Sequence, residues 1–259
     1  MPKQLAIMMI VLGLASVALS DEVRAPVGRN LHASAAVQGS ELFRRFDGIL
    51  KAYVQNGQVD YGALRSDRLP LNQYLSLAGA VKESEFRSWS RNRQLAFLIN
   101  LYNASTLQLI LDHDPVESIK QIGSFFKGPW DQPAVTLFGR TTTLNDLEHN
   151  IIRKQFREPR IHMALVCAAK GCPHLRSEAY AAARLEEQLA DQSRRYLHSP
   201  AGLVMERDTG RVFLSSIFKW YGSDFPSIPG FVETYYGESI RGLKIRYLDY
   251  DWSLNGKTD

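Results

Sequence analysis

Only two cysteines occur in 259 residues, Cys167 and Cys172, with four residues between them. That scarcity excludes a fold stapled by disulfides, because a bridge closing so small a loop removes only about 2 kcal/mol of unfolded-chain entropy. The hydrophobic core has to hold the structure. The chain also lacks a Gly/Ser/Pro-rich linker, a low-complexity tract and an internal repeat, so a single domain is expected rather than an array. There is no Gly-x-Ser-x-Gly elbow, no phosphate-cradling glycine loop and no dinucleotide fingerprint, and no cofactor is called for. Charge of one sign is not concentrated: 31 Lys and Arg stand against 27 Asp and Glu. No nucleic-acid-binding motif appears, and a nucleic-acid partner is not expected. The one loose basic group, Arg153, Lys154, Arg157 and Arg160, reads as a solvated helix face or as a contact for an anionic partner.

Long apolar runs are missing too, with one exception at the start. Lys3 gives a short positive region, and Leu5 to Leu19 is apolar and uncharged. Ala18 and Ser20 place small side chains at the −3 and −1 positions of a cut before Asp21. This is the layout of a cleavable secretory signal over residues 1–20. A membrane anchor is the competing reading, but the run falls short of the roughly 20 residues that a bilayer core requires. A second cut after Ala25 fits as well. Residues 21–36 read as a mobile leader, and residues 37–259 as one globular domain without a transmembrane segment. The expected location is periplasmic or secreted, where two nearby thiols tend to pair.

Periodicity places the elements. Leu42, Phe46, Leu50 and Tyr53 recur at helical spacing and stop at Asn56-Gly57, before a short extended piece, Val59-Asp60-Tyr61. A helix is expected over 72–80 and a stronger one over 91–113, whose centre is apolar all round and therefore buried. Val135-Thr-Leu-Phe138 and Thr141-Thr-Thr143 read as a hairpin. Thr143 caps a helix over 144–156, with Asp146 as a variant capping box. Residues 161–166 read as a buried strand, 181–197 as a helix, and 203–205 with 212–214 as a second hairpin. Helical pieces near Ile217 and Phe231 precede a last strand over 244–250. The fold class is α+β: a helical N-terminal half packed on a small, largely antiparallel sheet.

Several side chains carry chemistry. On a wheel of 100° per residue, Glu148 falls inside the apolar stripe of its helix and His149 on its border. A carboxyl group there is either satisfied by an arginine or a backbone donor, or works as a general acid/base or orienting group. In a strand over 161–166, His162 and Cys167 lie on opposite faces and do not meet. If Pro173 opens a helix, Cys172 sits at its N-cap, where the dipole favours a thiolate, and His149 or His162 is a candidate base. The alternative is a Cys167–Cys172 disulfide. His149, His162 and His174 with the two cysteines supply enough donors for a metal, but their spacing matches no standard zinc motif.

Several ordered segments, Asn92-Arg-Gln-Leu-Ala-Phe-Leu-Ile-Asn-Leu-Tyr-Asn-Ala104, Leu147-Glu-His-Asn-Ile-Ile-Arg153, Arg160-Ile-His-Met-Ala-Leu-Val-Cys167, Gly171-Cys-Pro-His-Leu-Arg176 and Tyr250-Asp-Trp-Ser-Leu-Asn255, resemble the family catalogued as domain of unknown function 547. The resemblance runs from about residue 40 to 255. It implies an exported bacterial protein and no particular reaction. Asn100, Asn103, Glu148, His149, His162, Cys167, Cys172 and Asp251 fall in its signature segments. Val166 stands where many members have Asn, and His174 where a second Pro is frequent.

Three readings follow. The chain binds a small molecule or a cell-envelope component through a buried Glu/His/Asn network beside a Cys167–Cys172 disulfide. Or it is a thiol-dependent hydrolase or acyltransferase acting on an amide, ester or peptide bond. There Cys172 is the nucleophile, His149 or His162 the base, and Glu148 or Asp251 the orienting group, with Cys167 a weaker nucleophile; a papain-like or transglutaminase-like core fits by analogy alone. Or the histidines and cysteines hold a metal.

Overall fold

The first helix, α1 (residues 41–53), buries Leu42, Phe46, Ile49 and Leu50 on one face. It gives way to a hairpin of β1 (Val54–Gln55) and β2 (Gln58–Asp60). Asn56 and Gly57 both take positive φ there, the backbone that a two-residue hairpin turn requires. The computed structural model describes residues 41–124 and 126–257. The expected signal peptide and leader lie outside the described residues. Asp60 caps α2 (Tyr61–Ser66) by accepting from the Ala63 amide. Helices α3 (Leu69–Gly79) and α4 (Glu83–Ser88) then lead to α5 (Arg91–His113), the central element.

Ser90 caps α5, and Asp114, held extended before Pro115, ends it. As the sequence indicates, α5 is buried on every side through its centre. Two of its buried residues are asparagines, and both work as backbone clamps. Asn100 donates to the Tyr180 carbonyl and accepts from the Tyr180 amide, each at 2.9 Å. Asn103 donates to the Ala164 carbonyl at 3.0 Å and accepts from the Val166 amide at 2.9 Å. Loops at 164–166 and 180 are thereby pinned to the most buried helix, and their polar groups are satisfied in the core.

The expected hairpin forms as β3 (Val135–Leu137) and β4 (Arg140–Thr142). Thr143 then caps α6 (Leu144–Asp146) by accepting from the Asp146 amide. This helix continues into a π-helical turn over Leu147–Ile152 and ends in α7 (Arg153–Phe156). The strand expected over 161–166 does not form. Pro159–Met163 is a 3₁₀ helix opened by Pro159 and capped by Glu158, followed by a turn. The run Ile-His-Met-Ala-Leu-Val is apolar enough to be buried in either conformation, and tertiary packing decides between them. Nor does Pro173 start a helix: residues 173–176 are irregular, so Cys172 has no helix dipole behind it.

Downstream come α8 (Leu185–Leu197), the hairpin β5 (Leu203–Glu206) and β6 (Arg211–Leu214), α9 (Ile217–Trp220), α10 (Ile228–Tyr236), β7 (Lys244–Tyr247) and β8 (Gly256–Lys257). The chain is α+β and a single domain, with its strands spread over three small sheets. β7 pairs parallel to β6, and β8 parallel to β2. Parallel partners need long connections, and strands this short do not announce them. The main core surrounds α5, and a smaller one gathers Val212, Leu214, Phe218, Phe225, Phe231 and Val232. No helix among the described residues is long and apolar enough to cross a membrane.

Asn103→Ala leaves a buried amide and a buried carbonyl without partners, at about 1–3 kcal/mol each. A loss of roughly 2–6 kcal/mol in unfolding free energy is therefore expected in a urea titration. An unchanged midpoint would show that the clamp carries no weight.

Candidate functional site

At the seam of the two cores lies a cavity of about 320 Å³. Its lining includes Glu148, His149, His162, Cys167 and Cys172, together with Tyr102, Tyr221, Tyr250 and three tryptophans. Five of the six candidate residues thus share one cavity. The opposite-face expectation for His162 and Cys167 fails because 161–166 is not a strand. Asp251 is absent from the lining. Its carboxylate accepts from the amide and hydroxyl of Ser253, and its side chain is exposed. His174 is also exposed, its ring close against Gly57. Among the described residues, no group of three or more His, Cys, Asp and Glu is arranged to hold a metal ion.

The cysteines sit on a tight loop. Ala168 takes φ +58°, rare for a residue with a Cβ, and that turn folds 167–172 back on itself. The loop is tied down by the C-terminal segment: the Gly171 amide bonds to the Asp251 carbonyl at 2.9 Å, and the Asn255 amide to the Ala168 carbonyl at 3.0 Å. A Cβ on Gly171 would meet the Asp251 backbone at 3.0 Å, which is why glycine stands there. Inside the loop the Cys167 amide donates to the Cys172 sulfur at 2.9 Å, and the two sulfurs are 2.6 Å apart. No disulfide joins them in this structure. The Tyr250 hydroxyl lies 3.2 Å from the Cys167 sulfur.

These contacts split the two thiols. Burial pushes Cys172 up, but hydrogen bonds from the Cys167 thiol, the Tyr250 hydroxyl and the Cys167 and Ala169 amides outweigh it and bring it below its ordinary value. The bond to Cys172, then burial, drives Cys167 well above. The loop stabilises a thiolate in the way a helix N-terminus was expected to do. No hydrogen bond joins an imidazole to either sulfur among the described residues.

The other side of the cavity is a chain of polar contacts. Arg153 grips Asp224 through Nε and Nη2, at 2.6 and 2.7 Å. Asp224 also accepts from His162 Nε2 at 2.8 Å. Hydrogen bonding to Arg153, and secondarily to His162, holds the Asp224 carboxyl down at about 2 despite burial. Burial lowers the His162 pKa, with Asp224 opposing, so the ring is neutral and its proton sits on Nε2. Its Nδ1 is left with a lone pair. Arg153 Nη1 lies 2.8 Å from His149 Nδ1. A guanidinium only donates, so His149 carries its proton on Nε2. One imidazole of the cavity is thus a proton acceptor and the other a donor.

Glu148 is buried, as its place in the apolar stripe implies, but among the described residues neither an arginine nor a backbone amide hydrogen-bonds to its carboxyl group. Tyr102 donates to it at 3.1 Å, and Tyr221 is hydrogen-bonded to it as well. Burial first, then the neighbouring carboxyl, keeps both phenols protonated. The Tyr221 ring stacks on His162 with centroids 4.1 Å apart. Glu148 and His149 both fall in the π-helical turn, a deviation that often marks functional positions.

Sequence reasoning missed Asp224, Tyr102, Tyr221, Tyr250 and the tryptophans. One signal was available: in extended chain, 250 and 252 share a face that excludes 251, and Tyr250 and Trp252 line the cavity where Asp251 does not. Asp224 had no signal, since its partners lie 62 and 71 residues away.

Residues 86–197 match the family described as Protein of unknown function, DUF547. That supports the resemblance read from the signature segments. The matched part contains α5, the π-helical turn and both cysteines; Tyr221, Asp224, Tyr250 and Trp252 lie beyond it. No curated protein and no solved structure matches the chain.

Asp224 has a lowered carboxyl pKa, so it stabilises the fold above about pH 4 and that contribution is lost as pH falls toward about 2. The shift sets an upper limit of about 2 kcal/mol, reduced to roughly 1 kcal/mol by solvent screening of a partly exposed pair. Denaturation at a series of pH values should show Asp224→Asn losing that much at pH 6 and converging on the parent near pH 2. Parallel curves at every pH would refute the pairing.

Proposed function

We propose that this is an exported cell-envelope protein whose cavity is a thiol-dependent acyl-transfer site, hydrolysing or transferring the acyl group of an ester or amide. Cys172 is the nucleophile, His162 the base oriented by Asp224, and His149 a hydrogen-bond donor to the substrate. The observation that carries this reading is the loop that makes Cys172 the more acidic of two thiols inside a cavity shared with a neutral, carboxylate-backed imidazole. Export rests on the charge and apolar pattern of residues 1–20.

In this mechanism His162 takes the Cys172 proton, and the sulfur attacks the acyl carbon. A C–S bond forms, the C–O or C–N bond breaks, and His162 passes its proton to the leaving group. Water then attacks the thioester, giving one proton to His162, and the thiol is regenerated as the acid leaves. Arg153 positions Asp224, and Tyr221 holds the His162 ring flat against itself.

A second reading has a specific observation in its favour. The two sulfurs are within 2.6 Å and no imidazole is bonded to either. That suits a ligand-binding protein in which Cys167 and Cys172 form a disulfide.

Two measurements separate the readings. With p-nitrophenyl acetate as substrate, Cys172→Ser should lower turnover by about 10²-fold or more, the size expected when an activated nucleophile is lost. In the reduced protein, iodoacetamide should modify one thiol rapidly near pH 7, and Cys172→Ser should remove that reaction. Unchanged turnover in Cys172→Ser, or no free thiol in native and denatured protein purified without reductant, would favour the binding protein.

A further inference from the structure

The mouth of the cavity is a cluster of aromatic rings. Trp220 and Trp252 stack at 5.7 Å, Tyr250 packs against them at 4.9 and 4.6 Å, and Trp130 meets Trp252 edge-on at 5.9 Å. Three of the chain's four tryptophans are gathered here. Trp220 is 47% exposed, unusual for so large an apolar side chain. The acyl-transfer chemistry uses the Tyr250 hydroxyl but none of the three tryptophans. They make an aromatic wall, with Trp220 open to solvent, of the kind that binds a ligand by its apolar face.

Charge decides which ligand. Two carboxyl groups, Asp131 and Glu148, line the cavity and outnumber the Lys120 ammonium beside Trp252, so an anion is disfavoured. Aromatic rings beside carboxylates also suit a cation. Here, however, the Lys120 ammonium already lies 5.1 Å from the Trp252 ring centre, and a second cation would be repelled. A neutral ligand remains. Around the rings the polar groups are planar donors and acceptors: Asp131, next to Trp130, accepts from the Asn145 amide at 2.9 Å, and His149 presents an Nε2–H. A face of C–H groups against tryptophan, with hydroxyls reaching side amides and carboxylates, is how a sugar ring is held.

We propose that the Trp130–Trp220–Tyr250–Trp252 platform binds a neutral saccharide and presents an acyl group carried on it to Cys172. The second half of this statement rests on the acyl-transfer reading; the first does not. If that reading holds, the ester or amide oxygen or nitrogen stays with the sugar, which leaves protonated, and the acyl group passes to sulfur and then to water.

Isothermal titration calorimetry with the trimer of N-acetylglucosamine tests the platform without requiring turnover. The purified protein should bind the trimer saturably. Trp220→Ala should weaken binding at least tenfold, and Trp220→Phe should restore most of it by keeping a stacking face. Choline chloride, run in parallel, should give no heat of binding. Absence of trimer binding, equal affinity in Trp220→Ala, or binding of choline instead would overturn the saccharide assignment. Each of these can occur with p-nitrophenyl acetate hydrolysis intact, and saccharide binding can occur without it, so the two readings fail separately.

Discussion

The site depends on how the backbone between Ala164 and Cys172 is held. Asn103 fixes its start from inside the most buried helix, and the segment 251–255 fixes its end from the far terminus of the chain. Between these anchors Ala168 accepts a left-handed backbone and turns two amides onto one sulfur. An isolated loop of six residues would not stay in that conformation. It persists because the structure around it determines the positions of both ends.

The same logic runs through the other half of the cavity. A buried carboxyl group, one buried and one half-buried imidazole and two phenols are costly in a core unless each finds a partner. Here they form two hydrogen-bonded sets that meet where the Tyr221 ring stacks on His162. Arg153 reaches both Asp224 and His149, Asp224 reaches His162, and Tyr102 and Tyr221 reach Glu148. Because arginine only donates and the ionised carboxylate only accepts, the proton positions on both histidines are dictated by their neighbours. The π-helical turn that carries Glu148 and His149 re-aims both side chains relative to a regular α-helix.

Much of this could be read in the sequence, and the limits are instructive. Helix α5 was legible to the residue, because a long apolar run between Ser90 and Asp114-Pro115 has one physical solution. The burial of Glu148 was legible from its place among Leu144, Leu147 and Ile151, a matter of local periodicity. The segment 161–166 was not, because six mostly apolar residues fit a buried strand and a buried turn equally well. The sheet partners of β7 and β8 were also hidden, since strands of four and two residues carry no record of what they pair with.

By itself, the sequence determined the longer helices, two of the three hairpins, the absence of a disulfide scaffold, and the short set of titratable side chains from which a site had to be drawn. Those follow from periodicity, capping and composition, all local properties of the chain. Tertiary structure alone decided that Asp224 rather than Asp251 backs the imidazole, that two tyrosines rather than an arginine satisfy Glu148, and that a loop rather than a helix end favours the Cys172 thiolate. The first two are contacts between distant residues, and the third is a local loop whose ends are held by distant ones. Such contacts are fixed by packing around α5, and no local pattern encodes them.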